Sequence, residues 1–139
     1  MSLKDCCTKD VQYVDPKTPI IDVAKRMKDN KCGSILVAEN DKLIGVMTDR
    51  DIVLRCIADS QDPLAMTAEQ CMSPKVLYCY ETDKPEDVLR NMADNGVRRM
   101  PIVDVDKALV GIVSFGDLAE ACDDKKAAGE AIEQIRLAA

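Results

Sequence analysis

The sequence predicts a mixed α/β (α+β) protein built from two β-α-β-β-α units packed as a pseudo-twofold pair. Three observations carry that prediction. An octapeptide, GVMTDRDI at 45–52, returns in relaxed form as GIVSFGDL at 111–118. The flanking sequence repeats with it: KDCCTKDV (4–11) matches EQCMSPKV (69–76), and DVAKRMKDN (22–30) matches DVLRNMADN (87–95). In both copies, short apolar runs of strand length alternate with stretches of helical spacing. The offset is 65 in the early segments and 66 once SILV (34–37) is set against MPIV (100–103), which implies one residue inserted in the second copy between Asn95 and Met100. The predicted repeats are 1–66 and 67–124, followed by a tail at 125–139.

Each repeat opens on a short strand, Val11–Val14 or Val76–Cys79. A helix follows. In the first repeat Thr18 supplies a capping hydroxyl and Pro19 suits the first helical position. Ile20, Val23, Ala24 and Met27 then recur on one face, as do Pro85, Val88, Leu89 and Met92 in the second repeat. Two apolar strands come next, Ser34–Ala38 and Lys42–Thr48 around the polar turn Glu39-Asn40-Asp41, with counterparts Met100–Asp104 and Ala108–Ser114. A second helix starts at Thr48 or Ser114. The tail reads as a helix with a narrow apolar stripe of Ala131, Ile132, Ile135 and Ala138/Ala139, weakened at Gly129. A repeat of about 60 residues buries only about 60 % of its surface and is marginal alone, so the two copies are expected to pack on each other and leave clefts where they meet.

Composition narrows the chemistry. The chain has 139 residues, 47 % apolar and 3 % aromatic, with no Trp and no His. Without His, the commonest general base and the Ser-His and Cys-His pairs are missing, and no phosphate-binding GxxxxGK[ST] loop is present; an enzyme is not expected. Seven cysteines without any C-x-x-C spacing read as reduced, buried thiols and give no metal site. A net charge of −6, with three Tyr and one Phe as the only stacking groups, argues against nucleic acid. No apolar run is long enough to cross a membrane, and MSLKDCCTKD lacks a signal-peptide core, so a cytoplasmic location is expected.

Thr48-x-x-Asp51 and Ser114-x-x-Asp117 stand where a strand turns into a helix. One reading is a capping device: the hydroxyl accepts a main-chain N–H, and the acid favours the positive helix end. The other is a binding site. Gly45 and Gly111 permit close approach of a backbone or a ligand, free N–H groups at a helix start attract phosphate, and a carboxylate one turn on accepts hydrogen bonds from vicinal hydroxyls. Together these suit a phosphorylated ribose. One side chain can perform both tasks.

The duplicated order, the two octapeptides and the stretch VRRMPIVD at 97–104 resemble a tandem pair of cystathionine β-synthase (CBS) domains, a Bateman module, over about residues 4–124. The resemblance implies two CBS repeats binding adenosine-containing ligands in the cleft between them: AMP, ADP or ATP, with S-adenosylmethionine as the alternative. It implies that Asp51 and Asp117 bind ribose, that Thr48 and Ser114 lie beside phosphate, and that Arg98 and Arg99, just before Met100 and Pro101, face phosphates. The segments ending at Val11 and Val76, starting near Thr8 and Ser73, would line the adenine. Because Arg50 stands in the first octapeptide and the arginine pair in the second repeat, the stronger site is expected at Thr48, Arg50 and Asp51 with Arg98/Arg99, and the weaker at Ser114 and Asp117.

The function implied is a stand-alone regulatory module acting on another protein that the sequence does not identify. The resemblance also implies a homodimer through the helices that begin near Asp49 and Asp117, with Arg55 and Asp59 as rim charges. A structural dimerisation protein with non-functional pockets is the competing reading.

Overall fold

The computed structural model describes residues 2–9 and 11–137. In chain order its elements are α1 (Leu3–Cys6), β1 (Tyr13–Val14), α2 (Ile20–Asn30), β2 (Ser34–Glu39), β3 (Lys42–Thr48), α3 (Asp49–Asp51), α4 (Ala68–Cys71), β4 (Cys79–Tyr80), α5 (Pro85–Asn95), β5 (Arg99–Val103), β6 (Leu109–Ser114), α6 (Phe115–Ala121) and α7 (Lys125–Leu137). After Asp51 the α3 coil widens through Ile52–Ile57, where Ala58 N–H donates to Val53 O five residues back. The predicted order holds, with one addition: a four-residue helix, α1 or α4, leads each repeat.

Those leading helices redraw the units. The chain divides into a first unit of 12–76 and a second unit that joins 1–11 to 77–139. The compact bodies therefore differ from the sequence repeats, because each leading segment belongs to the body of the other repeat. Packing gives the reason. Leu3 lies fully buried in the second-unit core with Leu89, Met92, Met100, Ile102 and Leu118. Ala68 and Cys71 are buried in the first-unit core with Ile20, Val23, Val37 and Met47. Burying a leucine fully is worth about 1.5–3 kcal/mol, enough to hold a single helical turn that would not persist alone.

Each unit holds one three-stranded sheet, β1-β2-β3 or β4-β5-β6, with the first pair parallel and the second antiparallel. Register corrects the repeat alignment. Ser34 faces Thr48 as Arg99 faces Ser114, and Val37 faces Gly45 as Ile102 faces Gly111. The offset thus stays at 65 through β2 and β5 (Ser34 to Arg99) and becomes 66 only in β3 and β6 (Thr48 to Ser114). The inserted residue lies in the turn between these strands, not between Asn95 and Met100. SILV aligned with MPIV by apolar character alone, but the one-residue slip would have exchanged the two faces of the strand.

The start of α2 also departs from expectation. Pro19 is the cap residue, one position outside the helix, and no side chain caps it. Ile20 and Ile21 instead donate their N–H groups to Met66 O and Pro63 O, both at 2.9 Å, so the loop before α4 does the work expected of Thr18. In the second unit Pro85 does occupy the first turn of α5. Among the described residues α7 buries Ala128 and Ile135, with Ala131 packed against the same core; Ala138 and Ala139 lie outside the described residues. No helix is long and apolar enough to cross a membrane among the described residues. All seven cysteines are free thiols, and burial, helped by the Asp83 charge, pushes the Cys79 thiol up to about 12.

The glycines of the two octapeptides mark the crossing of the leading segments. Thr8 N–H donates to Ile112 O (2.9 Å) and Ile112 N–H to Thr8 O (3.0 Å), while Ser73 and Val46 exchange the same two bonds in the first unit. A Cβ at Gly111 would stand 2.9 Å from Thr8 O and 2.8 Å from Cys7 Sγ; one at Gly45 would strike Met72 Sδ and stand 3.1 Å from Ser73 O. The backbone approaching these glycines is the chain's own. Gly111→Ala is expected to destabilise the second unit by about 1–3 kcal/mol in urea unfolding, whereas Gly116→Ala, which meets only Ser114 Oγ at 3.7 Å, is expected to be neutral or stabilising.

Candidate functional site

The strand-to-helix junction of each unit is closed by a reciprocal pair of hydrogen bonds. In the first unit Asp51 N–H donates to Thr48 Oγ1 (3.1 Å) and Thr48 N–H donates to Asp51 Oδ2 (2.9 Å). In the second, Asp117 N–H donates to Ser114 Oγ (3.1 Å) and Ser114 N–H to Asp117 Oδ2 (3.2 Å). Both are capping boxes, so the capping reading holds for both tetrapeptides. Capping uses one carboxylate oxygen and leaves the other. It also leaves the hydroxyl hydrogen, because Ser and Thr accept and donate at once.

The remaining oxygen has a different fate in each unit. Asp51 Oδ1 lies 3.6 Å from Arg55 Nη2. No described side chain pairs with Asp117 Oδ1. Asp117 instead lines a cavity of about 300 Å³ together with Thr8, Arg99, Ile112, Val113 and Ser114. That volume is at the lower end of small-molecule pockets, which run from roughly 300 to 1,000 Å³. The pocket draws on three separate stretches: the segment after α1 delivers Thr8, β5 brings Arg99 opposite Ser114, and β6 with the start of α6 supplies the rest. Its chemistry is one guanidinium, one carboxylate, two hydroxyls and an apolar wall. A thiol lies near each acid, half-buried at Cys6 and buried at Cys71: burial and then the Asp117 charge push Cys6 up, and burial and then Asp51 do the same to Cys71.

The residues singled out in the sequence fall into groups. Arg99, Ser114 and Asp117 come together on the cavity. Thr48 and Asp51 pair with each other, while Arg50 is exposed beside them, its N–H donating to Asp49 Oδ1. Arg98 is exposed and its carbonyl accepts from Phe115 N–H. Met100 and Pro101 are buried, Met100 within the second-unit core and Pro101 accepting from the Cys79 thiol at 3.7 Å. Val11 and Val76 are half-buried at the ends of their leading segments. The main-chain groups of Thr8 and Ser73 are both committed to the bridges with Ile112 and Val46, so at Thr8 only the side chain is left for a ligand. Sequence reasoning missed Ile112 and Val113 as pocket walls and the partners of Arg55. The half-exposed Arg55 side chain contacts Asp51, Cys71 O and Ser73 Oγ. The alternation after Gly111 carried the first signal; nothing local carried the second.

Two such boxes on duplicated β-β-α junctions, each crossed at its glycine by a leading segment, are matched by a family model for the CBS domain at 3–57 and again at 68–124. The chain belongs to the CBS domain family. The CBS domain-containing protein YhcV of Bacillus subtilis is 39 % identical over 134 residues, covering 96 % of this chain and 94 % of that one. A second Bacillus subtilis protein, YlbB, is 36 % identical over 135 residues, covering 96 % and 90 %. Among solved structures, Hypoxic Response Protein I with two coordinated zinc ions superposes with a TM-score of 0.76 at 28 % identity, covering 88 % of this chain and 99 % of that one. CBSX2 in complex with AMP superposes at 0.72 and 24 % identity, covering 90 % and 98 %. In this CBS pair no three Cys, Asp or Glu side chains gather as metal ligands among the described residues.

The capping geometry sets an expected outcome. Ser114→Ala should cost about 0.5–2 kcal/mol of stability, while Ser114→Thr retains the cap; urea denaturation of the two variants measures the difference.

Proposed function

We propose that this CBS pair is a regulatory module binding an adenosine-containing nucleotide, AMP, ADP or ATP, at the pocket of Thr8, Arg99, Ser114 and Asp117. The observation that carries this reading is the convergence of Arg99, Ser114 and Asp117 on one cavity. Asp117 Oδ1 would accept hydrogen bonds from the ribose diol. Arg99 would take phosphate through charge-assisted bonds, and the Ser114 hydroxyl would donate to the same group. Ile112 offers an apolar wall to the base. The likeness of fold to CBSX2, solved with AMP, supports the ligand class. This choice puts the Ser114/Asp117 site ahead of Thr48/Asp51, the reverse of the order expected from the placing of the arginines in sequence. S-adenosylmethionine offers the same diol and is the alternative occupant. Regulation requires that the ligand favour one of two conformations over the other.

We also propose a homodimer through the first unit. Val53, Leu54 and Ile57 on the widened turn after α3 are 55 %, 47 % and 57 % exposed, with Leu64 nearby in sequence also exposed. In the second unit the counterparts of Val53, Leu54 and Ile57 are Ala119, Glu120 and Asp123, and α7 joins α6 in one core. The apolar face is thus found on only one of the two helices expected to carry it. Arg50 and Asp59 flank it at opposite ends, a charge order that an antiparallel pairing with a second copy would satisfy.

Thermal melts with AMP, ADP, ATP and S-adenosylmethionine test the ligand. A true ligand at 100 times its dissociation constant adds about 2.7 kcal/mol, and Arg99→Ala should weaken binding on the order of 10–100-fold by removing a charged hydrogen bond. No shift with any of the four would favour the structural reading. For assembly, Ile57→Glu should convert a dimer to monomer in sedimentation; an unchanged dimer would place the interface elsewhere.

A further inference from the structure

The pocket of the second unit has a counterpart in the first, and the sequence supplies an occupant for it. Register and repeat offset pair Thr8 with Ser73, Cys6 with Cys71, Ile112 with Val46, Ser114 with Thr48 and Asp117 with Asp51. In the second unit this set surrounds an open cavity. In the first unit the equivalent groups hold a guanidinium: Arg55 Nη1 donates to Cys71 O (2.9 Å) and Ser73 Oγ (3.2 Å), and Nη2 lies 3.6 Å from Asp51 Oδ1. The residue at the corresponding helical position of the second unit is Ala121, whose buried methyl is too short to reach back.

The two units differ at one further position. Arg99 stands opposite Ser114, whereas Ser34 stands opposite Thr48. Each unit therefore brings one arginine to its hydroxyl–acid pair, by different routes. In the second unit it comes from the neighbouring strand and leaves the acid's outer oxygen open. In the first it comes from the same helix, four residues after the acid, and lies against that oxygen. The helix is also wound wider at this point, through Ile52–Ile57, whereas Cys122 N–H returns to Leu118 O in ordinary α geometry. Such widened turns are concentrated at functional positions.

We propose that Arg55 is a built-in occupant of the first-unit pocket, so that the chain binds one nucleotide, at Ser114 and Asp117, and none at Thr48 and Asp51. The proposal rests on the nucleotide reading given above and adds the stoichiometry. Arg55 satisfies the acid and the polar groups of the leading segment that a ribose and its phosphate would otherwise meet. An entering ligand would have to displace it and break its bonds, while the second-unit pocket has no such occupant to displace.

Calorimetric titration of the full chain with AMP decides the matter. The unaltered protein should bind one AMP per chain, Arg55→Ala combined with Ser34→Arg, which supplies the first unit with the strand arginine of the second, should bind two, and a folded Ala121→Arg should bind none, since it installs the same guanidinium beside Asp117. Two sites in the unaltered protein, or a single site in the folded Ser34→Arg/Arg55→Ala double variant, would overturn the proposal. Binding that survives Asp117→Asn but is lost in Asp51→Asn would overturn it too. If AMP binds no form of the protein, the nucleotide reading fails, and a ligand-free measurement decides the occupant. Amide exchange at Val46 and Ser73 should then be faster in Arg55→Ala by roughly tenfold, the loss of about one hydrogen bond, and millimolar ethylguanidine should restore it. Unchanged exchange would show that Arg55 does not occupy the pocket.

Discussion

The crossing of a leading segment over a glycine is the constraint on which the rest of each unit depends. Thr8 and Ile112, like Ser73 and Val46, exchange two main-chain bonds at about 3 Å, a spacing that only a residue without Cβ allows beside it. The crossing holds a four-residue helix against the sheet, where it buries Leu3 in one unit and Ala68 and Cys71 in the other. It also puts the hydroxyl residue of that segment next to the strand-to-helix junction. Without it the junction would carry a cap and no pocket wall, and Arg55 would have no acceptors in the chain behind it.

The same acid serves structure and chemistry because a carboxylate has two oxygens. One closes the cap, contributing on the order of 1 kcal/mol, and in doing so fixes the orientation of the other. Preorganisation of this kind lowers the entropy that a ligand must otherwise overcome on binding. Capping and the proposed recognition at Asp117 therefore reinforce each other: any rotation that freed Oδ2 from Ser114 N–H would also misdirect Oδ1. This is why the capping interpretation and the binding interpretation, opposed when only the tetrapeptide is read, are compatible in the folded chain.

What was legible in the sequence was what repeats or has a period. The duplicated octapeptide located both junctions, helical spacing located α2 and α5, and apolar runs located the four central strands. Features without a period were missed. A single turn such as α1 or α4 shows too few residues to display a helical face. Thr18 looked like a cap because its chemistry suits one, but the N–H groups of Ile20 and Ile21 found partners more than 40 residues away. Apolar likeness paired SILV with MPIV one residue out of register, and only the strand ladder restores Arg99 opposite Ser114. The contacts of the half-exposed Arg55 were not legible because its partners Cys71 and Ser73 lie in a segment that sequence assigns to the other repeat.

Duplication explains how two junctions with the same backbone came to differ in chemistry. The cap, the crossing glycine and the β register are shared, and they are the parts on which folding depends. The differences that bear on the site are Ser34 against Arg99, and Arg55 against Ala121. Exchanging these residues moves a single positive charge from the helix to the strand, with the buried Ala121 methyl taking the place of the half-exposed Arg55 side chain. A positive charge on the helix lies against the acid and also donates to Cys71 O and Ser73 Oγ, so the occupant does not rest on the half-exposed ion pair alone, which is worth little. A positive charge on the strand stands across from the hydroxyl and leaves the acid available. The first arrangement ties the leading segment to its unit through the chain's own guanidinium, and the second leaves that position to an outside molecule carrying both hydroxyls and negative charge. Under the proposed stoichiometry one unit is held by its own guanidinium and the other only by its ligand, an asymmetry suited to reporting the presence of that ligand.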